Sequence, residues 1–173
     1  VIFVDPFFEK NDHSNKSSNL VNVLKTLNIN YNSNVILDGA QATRLQTQQN
    51  ITENTSLQTM LKLNWPEVRG QYINQAEEIG DGLSLIRLVS PGGLSPLNDE
   101  SEISYTPIMS SSEVTMDLPM KEVHDPIKLI NNFQPTGISY DFVVKLSGIA
   151  KSNFNDFELK NENHLETSSK NIN

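Results

Sequence analysis

The stretch GISYDFVVKLSGIAKSNF, residues 137–154, carries the clearest structural pattern in the sequence. Apolar side chains at even-numbered positions alternate with mostly polar side chains at odd-numbered positions. The apolar set is Ile138, Tyr140, Phe142, Val144 and Leu146. Successive side chains of a strand point to opposite faces of a sheet, so this alternation predicts a strand with one buried face. Val143 interrupts the polar set, which predicts that the second face is partly covered as well. We expect Gly148 to end the strand and Phe154 to be the last apolar anchor of the domain.

Length and composition indicate a single soluble domain that does not bind nucleic acid. The 173 residues suffice for one hydrophobic core. The net charge is −8 and the 13 Lys and Arg residues are scattered, which argues against nucleic acid and anionic membrane surfaces, because both need clustered basic residues. The chain has no cysteine, which excludes disulfides, thiolate metal sites and a cysteine nucleophile.

The first part of the chain predicts a parallel β-α-β unit. Residues 1–4 form an apolar run typical of a buried strand, and Val35-Ile36-Leu37 forms a second one. Between them, Leu20, Val23, Leu24 and Leu27 recur with the period of a helix. Because the chain opens inside a strand without an initiator Met, we expect it to be a fragment of a longer protein.

The remainder predicts a mixed sheet with flanking helices. We expect a helix over residues 40–49 and a further helix capped by Asp125-Pro126, with Ile127, Ile130 and Phe133 facing inward. Further strands are expected at residues 57–63 (stopped by Trp65-Pro66), 83–89, 103–109 and 114–118. The predicted fold class is therefore α/β (or α+β), with antiparallel strands in the second half. One domain spans residues 1–154, and a polar tail or linker spans residues 155–173.

Several segments occur in an order that is familiar from one family. They are VIFVDPFF at 1–8, NVILDGAQ at 34–41, SYTPIMSS at 104–111 and VVKLSGIAKSNF at 143–154. In this order they resemble the GldG-type auxiliary subunit of gliding-motility and related uncharacterised ABC transport systems. The chain departs from the family pattern at Val143-Val144, where two alanines are usual, and in the 104–111 segment, where a serine replaces a basic residue.

The resemblance covers residues 1–154 and implies both a location and a set of partners. It implies a periplasmic or extracytoplasmic α/β domain, anchored to the inner membrane by segments that this chain lacks. It also implies partnership with an ABC permease and an ATPase. The function that we favour is a non-catalytic auxiliary component that binds partner subunits or an exported substrate outside the cytoplasmic membrane, without a cofactor.

Three residues form a candidate ligand-binding set: Asp5, Asp38 and Trp65. Each aspartate follows a predicted strand, where α/β folds place ligands, and an exposed Trp can stack on a sugar. The competing interpretation is structural, since Asp after a strand is commonly a turn former and Trp a loop anchor. The alternative function is therefore a small-ligand or carbohydrate-binding module.

A degenerate hydrolase or amidotransferase-like enzyme is the third hypothesis. A Ser-His-Asp set can be assembled from residues 110–112, His124 or His13, and Asp125 or Asp5. None of these serines lies in a G-x-S-x-G context, and the absence of cysteine counts against a glutamine-amidotransferase mechanism. The histidines His13, His124 and His164 lack metal-ligand spacing, so we predict no metal site.

Overall fold

A computed structural model of the chain describes residues 20–51, 54–98, 102–151 and 168–172, without the side chains of residues 47–51, 54–58, 151 and 168–172. Within these ranges the chain forms two α-helices, two short 3-10 turns and ten strands. The helices are α1 (Val21–Thr26) and α2 (Pro126–Asn132), and the 3-10 turns are Gly70–Tyr72 and Met120–Glu122. The strands are β1 (Ile29–Asn32), β2 (Val35–Asp38), β3 (Ala42–Ile51), β4 (Asn54–Arg69), β5 (Leu85–Arg87), β6 (Gly93–Pro96), β7 (Ile103–Ser110), β8 (Thr115–Leu118), β9 (Asp141–Lys151) and β10 (Ser168–Ile172).

The fold is β-rich, and the predicted α/β class with flanking helices was wrong. All strand pairs among the described residues are antiparallel. β2 pairs with β8 rather than with a parallel neighbour, and the predicted helix at residues 40–49 is largely strand β3. β3 forms a long hairpin with β4, and the backbone groups of β3 find their hydrogen-bond partners on β4. A strand paired in this way does not need the apolar stripe that a helix would bury. The predicted strand at residues 1–4 lies outside the described ranges.

The strands form three sheets. One contains β1, β6, β9 and β10 in that order, with β7 also paired to β9; the others are β2-β8 and β3-β4-β5. The predicted strand after Gly137 is confirmed as β9, but it begins at Asp141 and passes through Gly148 to Lys151. Gly148 does not end the strand, because its φ of 138° lets the backbone pass close to Glu102 without a break.

Two clusters of buried side chains form the core. The first contains Val35, Leu37, Leu63, Val123 and Leu129, and the second contains Val68, Ile73, Ile108 and Met109. β9 contributes to the second cluster through both Phe142 and Val143, which belong to opposite parities. β9 therefore packs with both faces half-buried, as expected for a strand that is covered on two sides.

The helix α2 begins as predicted but buries a different side chain. The Asp125 carboxylate accepts hydrogen bonds from the backbone N–H groups of Ile127 and Lys128, which confirms the cap. However, Ile127 is 66% exposed and Ile130 is 40% exposed, whereas Leu129 is 4% exposed. The helix is only seven residues long, and Leu129 is its one buried residue.

Other strand predictions were correct in place but not always in length. The strands predicted at residues 103–109 and 114–118 correspond to β7 and β8, and that at residues 83–89 is the shorter β5. β4 does not stop at Trp65-Pro66 but continues to Arg69.

The division into a domain and a tail at residue 154 stays a prediction, and β10 lies beyond it, paired with β9. In the part of the chain that is described, no helix has the length and apolarity needed to cross a membrane.

Candidate functional site

The described structure has an open groove of about 1020 Å³ beside the end of β7. We call it the β7 groove. It is lined by residues 70–75 on one side, by residues 110–114 and Ser139 on the other, and by Pro107 and Ile108 between them. The groove is thus formed by one strand and the two segments that flank it.

The first wall, residues 70–75, is fixed to β7 through backbone contacts. Ile73 forms an isolated bridge with Met109, and the Asn74 N–H donates to the Ile108 carbonyl over 2.8 Å. The Asn74 side chain donates to the Pro107 carbonyl over 3.1 Å. Three consecutive residues of β7 therefore hold this wall, so its shape is set before a ligand arrives.

The second wall is held by an aspartate on β9. The Ser110 hydroxyl donates to Asp141 Oδ1 over 2.7 Å, and the Tyr105 hydroxyl donates to Asp141 Oδ2 over 2.9 Å. Burial of Tyr105 raises the pKa of its hydroxyl, and the neighbouring negative charge of Asp141 raises it further. Tyr105 therefore stays a neutral donor, and the link between β7 and β9 persists across the physiological pH range.

Asp38, one of the predicted ligand-binding residues, is fully buried and supports the same wall. Its carboxylate accepts hydrogen bonds from the N–H groups of Ala40, Gln41 and Ser112, from the Gln41 side chain and from the Ser112 hydroxyl. The bonds from Ala40 and Gln41, two and three positions after it, form the local turn that the structural interpretation expects. The bonds to Ser112 fix the second wall, so Asp38 acts on the groove indirectly; direct ligand contact stays a prediction.

Trp65 lies elsewhere, in a smaller cleft of about 260 Å³ that we call the Trp65 cleft. The residues that line it are Lys62, Asn64, Trp65, Met120, Val123, His124 and Pro126. The structure does not bring Asp38 and Trp65 into one site, because Asp38 is bonded to the wall of the β7 groove. Asp5 lies outside the described residues.

The candidate Ser-His-Asp set is not assembled among the described residues. The hydroxyls of Ser110 and Ser112 donate to Asp141 and Asp38, and that of Ser111 donates to the Ser112 carbonyl. His124 lines the Trp65 cleft instead, and its neighbour Asp125 caps α2. His13, His164 and Asp5 fall outside the described ranges. Within those ranges, no group of three His, Cys, Asp or Glu residues is placed to hold a metal ion.

Sequence reasoning missed the first wall of the β7 groove. The sequence of residues 72–79 predicts a helical turn, whereas the chain makes a 3-10 turn at Gly70–Tyr72 and then runs against β7. The one local signal is Gly70, whose φ of 59° is the left-handed conformation that glycine adopts readily. This glycine marks a sharp turn, but it does not reveal which strand the following residues contact.

Comparison with protein families tests the resemblance that the ordered segments suggested. A family model described as an ABC-type uncharacterized transport system matches residues 1–173. The chain belongs to this family. Members of this ABC transport auxiliary family are auxiliary components of such a system, which confirms the broader part of the resemblance. No curated protein and no solved structure was found to match the chain.

Two of the segments that carry the resemblance to the auxiliary family contribute to the β7 groove. The segment at 104–111 provides Pro107, Ile108 and the start of the second wall. The segment at 34–41 provides Asp38, which holds that wall through Ser112. Two segments that are far apart in sequence therefore build one surface.

Proposed function

We propose that the chain is a non-catalytic, GldG-type auxiliary component of an ABC transport system, whose β7 groove binds a partner subunit or an exported substrate. In this proposal the domain works in the periplasm or another extracytoplasmic space, tethered to the inner membrane by further segments. Its partners are the ABC permease and the ATPase of a system related to gliding motility.

One observation carries the proposal: the 104–111 segment of the family resemblance lines the β7 groove, and Asp38 of the 34–41 segment holds its second wall. Pro107 is exposed in this groove, between two walls that are fixed by hydrogen bonds. A preformed concave surface of this size is the usual form of a binding site.

The chemistry of the groove suits a polypeptide. Its lining alternates amide and hydroxyl side chains with apolar ones, and Glu113 is the one charged residue among those that line it. The exposed part includes Gln71, Gln75, Glu113 and Val114, which is 40% exposed. Such a surface offers hydrogen bonds and apolar contact to a neutral or basic segment of chain, whereas a phosphate group would meet no cation among these residues.

The hydrogen bonds of the serines support a role without catalysis. A serine nucleophile needs a base that accepts its proton, with that base in turn oriented by a third group. Here Ser110 and Ser112 donate to carboxylates that also accept other hydrogen bonds. Each hydroxyl therefore contributes to the shape of the wall.

Site-specific photocrosslinking in the native host tests the proposal. A benzophenone amino acid replaces Gln71, an exposed residue of the first wall, in the full-length protein within its membrane. The matched control places the same group at Ile127, which is 66% exposed on α2 and does not line the groove. We expect crosslinks from position 71 to a permease subunit or to an exported polypeptide, and none from position 127.

The identity of the crosslinked product separates the two versions of the proposal. A product that contains the permease supports binding of a partner subunit, and a product with an exported polypeptide supports binding of substrate. Equal crosslinking from both positions, or none from position 71 while the permease and ATPase co-purify, would rule out the β7 groove. If neither transporter subunit co-purifies with the full-length protein in mild detergent, the proposed partnership itself fails.

A further inference from the structure

The Trp65 cleft begins at an irregularity of the β3-β4 hairpin. Thr43 of β3 pairs with Lys62 of β4. The neighbour of Thr43 on β3, Ala42, pairs with Pro66, so residues 63–65 have no partner on β3. A bulge of this kind redirects side chains away from the regular pleat and commonly occurs beside binding sites.

The bulge is held in place by specific hydrogen bonds. The carbonyl of Trp65 accepts a hydrogen bond of 2.6 Å from the Thr43 hydroxyl. The Asn64 carbonyl accepts from the N–H of Ser90 over 2.8 Å, and the Asn64 side chain donates to the Ser90 hydroxyl over 3.1 Å. Asn64 and Trp65 are therefore rigidly presented to the cleft, as a preformed site requires.

The opposite side of the cleft comes from the segment that leads into α2. It contributes Met120, Val123, His124 and Pro126. Val123 is 5% exposed and belongs to the first core cluster, against which Met120 also packs. The floor of the cleft is thus apolar and anchored in the core, while His124 is exposed at its rim.

Among the residues that line the cleft, Lys62 carries a positive charge and none carries a negative charge. Lys62 lies with its Nζ 5.6 Å from the centroid of the Trp65 ring, a cation–π arrangement. The lining includes no Asp or Glu, and the ion pairs formed within the described residues involve Glu67 and Glu77 but not Lys62. In a chain of net charge −8, a cleft with a lysine, a histidine and no acid is a local attractor for anions.

We propose that the Trp65 cleft binds a small carboxylate with a flat apolar body, independently of the β7 groove. The Lys62 ammonium pairs with the carboxylate, and the apolar body lies among Trp65, Met120 and Pro126. A volume of about 260 Å³ limits the ligand to about the size of a single ring with its acid group. One ammonium suits a monoanion, whereas phosphate sites usually combine several donors.

Fluorescence gives a direct test, because Trp65 is the sole tryptophan of the chain. The full chain is titrated with benzoate, and separately with inorganic phosphate and with glucose as a neutral sugar. We expect a saturable change in the Trp65 emission with benzoate alone. The midpoint of each titration is compared rather than its amplitude, because removal of Lys62 itself alters the emission.

Two variants and one control assign the effect to the cleft. Lys62→Gln is expected to raise the benzoate midpoint about tenfold, the usual effect of losing one charge-assisted hydrogen bond. His124→Gln, a change at an exposed position, is expected to raise it by a smaller factor. Lys121→Gln removes an exposed charge that does not line the cleft, and is expected to leave the midpoint within about twofold.

Three results would overturn the proposal. The first is the absence of a saturable change with benzoate in a wild-type chain whose thermal unfolding is cooperative. The second is saturation by glucose or phosphate without saturation by benzoate. The third is an equal rise of the benzoate midpoint in the Lys62→Gln and Lys121→Gln variants, which would show that binding depends on the net charge of the chain and not on Lys62. If Lys62→Gln fails to fold, the comparison between His124→Gln and Lys121→Gln decides in the same way.

Discussion

Asp38 and Ser112 lie 74 positions apart in sequence and are joined by two hydrogen bonds of 2.7 Å. Both the N–H and the hydroxyl of Ser112 donate to the carboxylate. The pair connects the end of β2 to the turn between β7 and β8, just beyond the register pair Asp38 and Thr115. One buried carboxylate therefore closes the β2-β8 sheet and fixes the second wall of the β7 groove.

Replacing this carboxylate is expected to be costly. In Asp38→Asn, the new NH₂ group faces donors, because each carboxylate oxygen of Asp38 accepts hydrogen bonds from both Gln41 and Ser112. We expect the free energy of unfolding to fall by about 3 kcal/mol or more, measured by urea denaturation. The control Asp81→Asn, at an exposed position, should change it by less than about 0.5 kcal/mol. Equal values for the two variants would contradict a structural role for Asp38.

Gly148 is expected to be irreplaceable for two separable reasons. Its φ of 138° disfavours other residues, and a Cβ at this position would lie 2.2 Å from the Glu102 carbonyl oxygen. Gly82 also has a positive φ, of 74°, but a Cβ there would meet no atom within 4 Å. We expect Gly82→Ala to lower the unfolding free energy by about 1 kcal/mol and Gly148→Ala by clearly more. Thermal denaturation of both variants measures the difference, and similar losses would show that the contact with Glu102 is unimportant.

Local patterns in the sequence predicted local structure well. The alternation in residues 137–154 identified β9, and the Asp125-Pro126 pair identified the start of α2. Both signals act within a few residues of the feature they specify: side-chain parity in one case and a capping carboxylate in the other. The fold class was wrong because it depends on pairing partners, and β2 carries no mark that distinguishes β8 from a parallel neighbour.

The candidate site was predicted in part for the same reason. Asp38 was predicted to bind a ligand, with turn formation as the competing interpretation, and its bonds to residues 40 and 41 are those of a local turn. Its contact with Ser112 could not be predicted, since a residue pattern does not encode a hydrogen bond across 74 positions. Trp65 was expected to end a strand at Pro66, but the bulge lets β4 continue and turns Trp65 into a cleft. The family resemblance was confirmed at the level of the ABC transport auxiliary family, because it used the order of whole segments rather than any one of them.

The orientation of α2 can be tested with two matched truncations. Leu129 is 4% exposed in the first core cluster, whereas Ile127 is 66% exposed. Leu129→Ala should lower the free energy of unfolding by about 2–4 kcal/mol, because it leaves a cavity in the core. Ile127→Ala should change it by less than about 0.5 kcal/mol, since its side chain is mostly in water in both states. Urea denaturation measures both, and the reverse order would restore the inward-facing Ile127 that the sequence suggested.

Acid stability should depend on the amides around Asp117. The Asn34 side chain donates to Asp117 Oδ2 over 2.9 Å, and this bond is the main cause that holds the pKa of Asp117 below its ordinary value. The folded carboxyl therefore resists protonation, so its contribution to stability is present above the unfolded pKa, about 3.9, and is lost as the pH falls through the folded pKa. We expect Asn34→Ala to make the unfolding free energy fall less steeply with decreasing pH in this window. The control Asn30→Ala removes an amide that bonds to Ser95 rather than to a carboxylate, and should leave the slope unchanged. Urea denaturation between about pH 6 and pH 2 compares the three chains, and equal slopes would show that Asn34 does not stabilise the ionised carboxylate.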